Sequence, residues 1–148
     1  MKIIIAGAGE VGSYIAHMLA TEDQDTYLID TNKKRLNKAR QHNDIIGLEG
    51  DAKDIAVLIE AGVESCDLLI AATSSEETNL LICILGKKLG AKKTISRISN
   101  FEEIGGNMRS LYKEIGVDHV ISPVEKAAKE IHQLIKHEAF LDNYDFEE

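Results

Sequence analysis

Six short apolar runs recur along this chain, at Lys2–Ala6, Thr26–Asp30, Ile45–Glu49, Leu68–Ala72, Thr94–Ile98 and His119–Ile121. Most are apolar at nearly every position instead of alternating, so both faces of the strands they form have to be covered. Helical stretches fall between them, near Glu10–Thr21, Asn32–His42, Asp54–Ala61, Glu76–Leu89 and Phe101–Ile115, and a last helix follows Pro123. In the first of these, Val11, Ile15, Met18 and Leu19 recur at one-face spacing. Right-handed crossovers then predict an α/β fold: a Rossmann-like doubly wound parallel sheet, strand order 3-2-1-4-5-6, with helices on both faces. Gly105-Gly106 is expected to break the segment after Phe101 into a loop and a later helix. At 148 residues and 44% apolar content, the chain is long enough for one domain with a substantial core. The predicted unit is 1–137, followed by an acidic tail at 138–148.

The first strand runs straight into Gly7-Ala8-Gly9-Glu10-Val11-Gly12, and Asp30 closes the second. A strand that delivers a glycine turn to a helix, with an acid at the neighbouring strand's tip, specifies a pocket for phosphate and ribose. Gly7 allows the turn, Gly9 lets the backbone approach a diphosphate, and Gly12 lets the helix pack on its strand. Free N–H groups and the positive dipole end of that helix favour an anionic oxygen. Asp30 would accept from ribose hydroxyls, or else cap the helix that starts near Asn32, a task open also to Thr31 and Asn32. Beside this carboxylate a 2′-phosphate meets like-charge repulsion of a few kcal/mol, roughly. NADP is therefore disfavoured relative to NAD, ATP, ADP or AMP. The basic run Lys33-Lys34-Arg35 reads as a solvated helix face.

Ligands of such sheets bind beyond the carboxyl ends of the strands. There Asp51, in Gly50-Asp51-Ala52, serves either an adenine amino group or a turn. Thr73 and Ser74 either offer hydroxyl donors to a ribose or diphosphate, or cap the next helix, since Ser74 and Glu77 have capping-box spacing. Asn79 lies one turn further and within reach of the same crevice. Arg97, alone at the tip of the fifth strand, suits a phosphate or a salt bridge to a nearby acid.

Other classes are disfavoured. A net charge of −8 without a basic stripe argues against a nucleic-acid partner. Cys66 and Cys83 lack metal-ligand or CxxC spacing and read as buried, reduced thiols of a cytoplasmic protein. The N-terminus reads as a strand and not as a secretory signal. No apolar run approaches the roughly twenty residues of a membrane helix, so any membrane role acts through a partner. There is no Tyr-x-x-x-Lys pair or His/Asp dyad. His17, His42, His119, His132 and His137 are scattered, and no metal site emerges. A non-enzymatic binding domain is expected; the alternative is the cofactor half of an NAD-dependent oxidoreductase. Val124, Ala127, Ala128, Ile131, Leu134 and Ile135 form an apolar stripe on the last helix, which packs either on its own sheet or across a second protomer.

These motifs occur in a specific order. The glycine turn is followed by Leu28-Ile29-Asp30, Gly50-Asp51-Ala52, Ala61–Thr73, Glu77-Thr78-Asn79-Leu80, Arg97-Ile98-Ser99-Asn100 and Gly116–Pro123. In this the chain resembles the RCK (KTN, TrkA-N) domain, the N-terminal nucleotide-binding lobe of Trk/Ktr potassium-uptake regulators, from Met1 to about His137. The resemblance implies a regulatory subunit or domain that binds NAD(H) or adenine nucleotides. It also implies assembly into a homodimer or higher ring, and gating of a potassium channel or transporter at the inner face of the membrane. Carried over, the glycine turn holds phosphates, Asp30 the ribose, and Asp51 with Ala52 the adenine side, with Thr31 also in the cofactor-binding set. Thr73, Ser74, Asn79 and Arg97 line the remaining half. Some relatives that respond to ATP have arginine inside the glycine turn where this chain has Glu10, which favours NAD or NADH. Regulators of this kind usually carry a second lobe, so the chain is expected to be either a fragment or a standalone subunit.

Overall fold

Successive residues of the first strand enter different cores. In the computed structural model, which describes residues 1–20, 24–41, 44–99 and 106–121 with Ile131, Gln133, Ile135 and Lys136, Ile3 and Ile5 pack on one side of the sheet. Ile4 and Ala6 pack on the other. All four are fully buried. An isoleucine removed from water in this way contributes about 1.5–3 kcal/mol of transfer free energy. Burial on both faces is why the strands lack alternation.

The elements are β1 (Lys2–Ala6), α1 (Glu10–Ala20), β2 (Asp25–Asp30), α2 (Lys33–Arg40), β3 (Ile45–Glu49), α3 (Ile55–Glu60), β4 (Leu68–Ala71), α4 (Glu76–Leu89), β5 (Lys93–Arg97), α5 (Gly106–Ile115) and β6 (His119–Ile121). A single 3₁₀ turn, Val63–Ser65, precedes β4. All pairings are parallel, in the order β3-β2-β1-β4-β5-β6, as predicted. Leu36 of α2 and Val11, Ile15 and Leu19 of α1 join the first core. Leu58 of α3, Ile82 of α4 and Tyr112 of α5 join the second. Helices thus cover both faces.

The boundaries differ from expectation by a residue. β5 begins on Lys93 and not Thr94, because Lys93 is in register with Leu68 of β4. β4 ends at Ala71, although the Ala72 N–H still reaches the Ala6 carbonyl at 2.8 Å. α5 starts at Gly106, consistent with the expected break; residues 100–105 lie outside the described part. Of the last helix's stripe, Ile131 and Ile135 are buried in the first core, on this chain's own sheet. Val124, Ala127, Ala128 and Leu134 lie outside the described residues, as do the 138–148 tail, His42, His132 and His137. No described helix is long and apolar enough to cross a membrane.

Candidate nucleotide-binding cleft

A cleft of about 570 Å³ opens at the carboxyl ends of the strands, over the point where the strand order reverses between β1 and β4. Gly7, Gly9, Glu10 and Val11 form its middle. Asp30, Thr31, Asp51 and Ala52 line one end, and Thr73, Ser74 and Arg97 the other. Eleven predicted residues therefore converge from five loops. Ala8, Gly12 and Asn79 do not line the cleft.

The glycine turn is shaped by different constraints at each position. Gly7 has φ +107°, a left-handed conformation that side chains resist, and a Cβ there would lie 3.0 Å from the Ala72 carbonyl group and the Thr73 nitrogen. A Cβ on Gly12 would run into the Gly7 carbonyl oxygen. On Gly9 it would meet no protein atom within 4 Å. Packing thus requires glycine at 7 and 12, whereas at 9 only the open cleft is left clear by its absence of a side chain. Asn32, Asp54 and Ser75 cap α2, α3 and α4; the amino end of α1 faces the cleft through Gly9 and Glu10.

Asp30 does not cap α2. Its Oδ2 accepts from the Ala8 N–H and its Oδ1 from the Asn32 N–H, both at 2.7 Å. The Asn32 side chain is the cap, accepting from Lys34 and Arg35 N–H at 2.9 and 3.2 Å. Each carboxylate oxygen has a second lone-pair direction, so Asp30 retains acceptor capacity toward the cleft. Asp51 combines its two expected settings: it lines the cleft, and its Oδ1 accepts from the Lys53 N–H at 2.9 Å in a local turn. The Gly50 N–H, bonded to the Asp30 carbonyl at 3.0 Å, ties that turn to β2.

Four cleft residues at this end were not among the predicted site residues: Ile29, Arg35, Gly50 and Lys53. The basic run is solvent-exposed as expected, and Arg35 in addition lines the cleft. Side chains in a first helical turn lean toward the amino end, which faces the site, and that was the available signal.

At the other end the capping residue is Ser75 and not Ser74: its Oγ accepts from the Thr78 N–H at 3.2 Å. Ser74 is left exposed on the lip. Thr73 is not a free donor, since its hydroxyl bonds Asn79 Oδ1 at 2.6 Å. Asn79 itself is fully buried beneath the cleft. Arg97 donates from Nη1 to the Thr73 carbonyl at 3.2 Å and makes no ion pair among the described residues. Ser75, Thr78 and Ile82 complete the wall. Burial pushes both cysteine thiols up to about 12, and Cys83 lies behind β5, donating to the Ile95 carbonyl. Among the described residues no group of three or more His, Cys, Asp or Glu side chains gathers to hold a metal.

Comparison with known proteins supports this fold. Over 135 residues the chain is 35% identical to a Trk system potassium uptake protein TrkA homolog of Methanothermobacter thermautotrophicus, covering 91% of this chain and 60% of that protein. It is 37% identical over 137 residues to TrkA of Haemophilus influenzae, covering 91% and 30%. The chain thus spans less than two thirds of the length of either relative. Among solved structures it superposes on the TrkA-N domain of the inner membrane protein ybaL from Escherichia coli with a TM-score of 0.70, at 19% identity and 90% and 96% coverage. It also superposes on the GsuK channel bound to NAD, TM-score 0.63 at 16% identity, covering 81% of this chain and 21% of that one. The same channel bound to ADP gives the same score at the same identity, covering 81% and 30%. At these identities the likeness is one of fold. The TrkA-N domain model matches residues 3–123, from the first strand to just past the sixth and through every segment that builds the cleft; this chain belongs to the TrkA-N domain family.

Proposed function

We propose that this chain is a regulatory ligand-binding domain that takes NADH or NAD, with ADP, ATP or AMP as weaker ligands. In this reading, ligand exchange in a homodimer or higher ring gates a potassium channel or transporter at the cytoplasmic face of the membrane. One observation carries it: a continuous cleft joins Asp30 to Arg97 across an open Gly9, in a chain of the TrkA-N family. The acid suits a ribose diol, the glycine turn a diphosphate and the guanidinium a second phosphoribosyl group. The potassium link rests on relatives named as potassium uptake proteins. GsuK, which shares the fold, has been solved with NAD and with ADP. A cleft of this volume lies in the usual range for small-molecule sites, about 300–1,000 Å³.

Mass spectrometry of the nucleotide that co-purifies, followed by titration calorimetry with NADH, NADPH, ADP and AMP, tests the ligand. Asp30→Ala is expected to weaken NADH at least tenfold; unchanged affinity removes the ribose assignment. Bound NADH is expected to persist in the presence of small carbonyl compounds. Turnover abolished by a cleft substitution would favour the oxidoreductase reading instead.

A further inference from the structure

The far half of the cleft hangs on one buried amide. Asn79 has two donors and two acceptor lone pairs, and the protein uses all of them. Its Oδ1 accepts from the Thr73 N–H at 2.9 Å and from the Thr73 hydroxyl at 2.6 Å. Its Nδ2 donates to the Thr73 and Arg97 carbonyls, both at 3.0 Å. No capacity is left for a ligand, and the side chain is wholly inaccessible.

The two residues it holds are the ones that face the site. The Thr73 carbonyl accepts from Asn79 and also from Arg97 Nη1 at 3.2 Å. Arg97 is therefore aimed by a carbonyl that Asn79 fixes, while its own backbone is held by the same amide. A guanidinium has five N–H donors, and here one contact within the protein orients it over the cleft. None of these bonds involves Asp30 or Asp51, which stand beyond the glycine turn.

We propose that Asn79 is a positioning residue that builds the second half-site, Arg97 with the Thr73–Ser74 edge. It thereby decides whether the cleft holds a dinucleotide or only its adenosine monophosphate half. The inference rests on the nucleotide-binding reading above. AMP engages the Asp30 end and the glycine turn. Only a ligand that continues past the diphosphate reaches Arg97, and only such a ligand gains from its fixed orientation.

The test is calorimetric titration of the purified chain with NADH and with AMP. Arg97→Gln and Asn79→Ala are each expected to lower NADH affinity tenfold or more and to leave AMP within twofold. The double variant is expected to lose clearly less than the sum of the two single losses, because Asn79 acts in large part through Arg97. Equal losses for both ligands, or additive losses in the double variant, assign Asn79 a general structural role and overturn the inference. Where Asn79→Ala does not fold, Thr73→Val removes one of its bonds with little change of shape. That variant is expected to lower the NADH:AMP affinity ratio about threefold, and an unchanged ratio overturns the inference equally. Wild-type protein that binds neither ligand overturns the nucleotide reading itself; wild-type protein that binds both, with a ratio lowered by Arg97→Gln but unchanged by Asn79→Ala and Thr73→Val, overturns only the role of Asn79.

Discussion

The Asp30 carboxylate and the Ala8 N–H, 22 residues apart in sequence, are joined by a 2.7 Å hydrogen bond. The acid that faces the cleft therefore also holds the glycine turn against β2. Replacing it should affect folding as well as binding. Asp30→Asn leaves one acceptor oxygen for two N–H donors, so one bond becomes a weaker neutral one and the other is lost to a donor facing a donor, at an expected cost of about 1–3 kcal/mol of stability. A urea titration should show the midpoint fall with an unchanged m-value. The same variant should narrow the preference for NADH over NADPH, since the carboxylate's repulsion of a 2′-phosphate is gone. A variant as stable as the wild type would show that the Ala8 contact contributes nothing.

The glycines of the turn should separate by role. Gly12→Ala drives a methyl into the Gly7 carbonyl and is expected to destabilise by about 1–3 kcal/mol or more. Gly9→Ala meets open space and should melt with the wild type in the absence of ligand. With NADH it should lose affinity by tenfold or more, because the methyl occupies the diphosphate's approach. Equal melting temperatures together with wild-type NADH affinity would place the diphosphate elsewhere.

Ligand binding should be visible as stability. At a concentration of NADH a hundred times its Kd, a single site adds about 2.7 kcal/mol. For a domain of this size that corresponds to a melting shift of roughly 5–10 °C. NADPH at the same concentration is expected to give a clearly smaller shift.

Both thiols should be silent in the folded protein. Cys66 and Cys83 are unpaired by disulfide and buried, and that burial pushes each thiol to about 12. Thiolate is the reactive form. Ellman's reagent at pH 8 is expected to detect no fast-reacting thiol in native protein and both after denaturation. A fast native reaction would mean that the packing around one of the two thiols opens readily.

His119 predicts a dependence on pH. Burial lowers its pKa below the ordinary 6.5, helped by Lys93 and Lys113 and opposed by Asp118. The unfolded chain therefore binds the proton more readily, and stability falls as pH drops through and below about 6.5. Chemical denaturation between pH 7.5 and 5.5 should show this decline, and His119→Gln should flatten it. A wild-type profile already flat across that window would contradict the assignment.

Some features of this molecule follow from local pattern alone. Runs such as Ile3-Ile4-Ile5 and Leu68-Leu69-Ile70 specify strands covered on both faces, and right-handed crossovers leave few ways to order them. Gly7, Gly12 and Asp30 are legible because a turn between a strand and a helix imposes the same backbone demands wherever it occurs. The sequence by itself thus determined the doubly wound sheet and the rim at which a ligand would sit. Which polar groups remain free at that rim was decided only by tertiary structure. Capping-box spacing favours Ser74 as the cap of α4, and only the chain's path gives that place to Ser75. Asn79 looks like a ligand contact until the Arg97 carbonyl, 18 residues away, arrives beside it. Arg35 is exposed as its pattern suggests, and only the assembled rim shows that it also lines the cleft. A side chain's partners are set by distances through space, and hydrophobic periodicity records only which face of an element is buried.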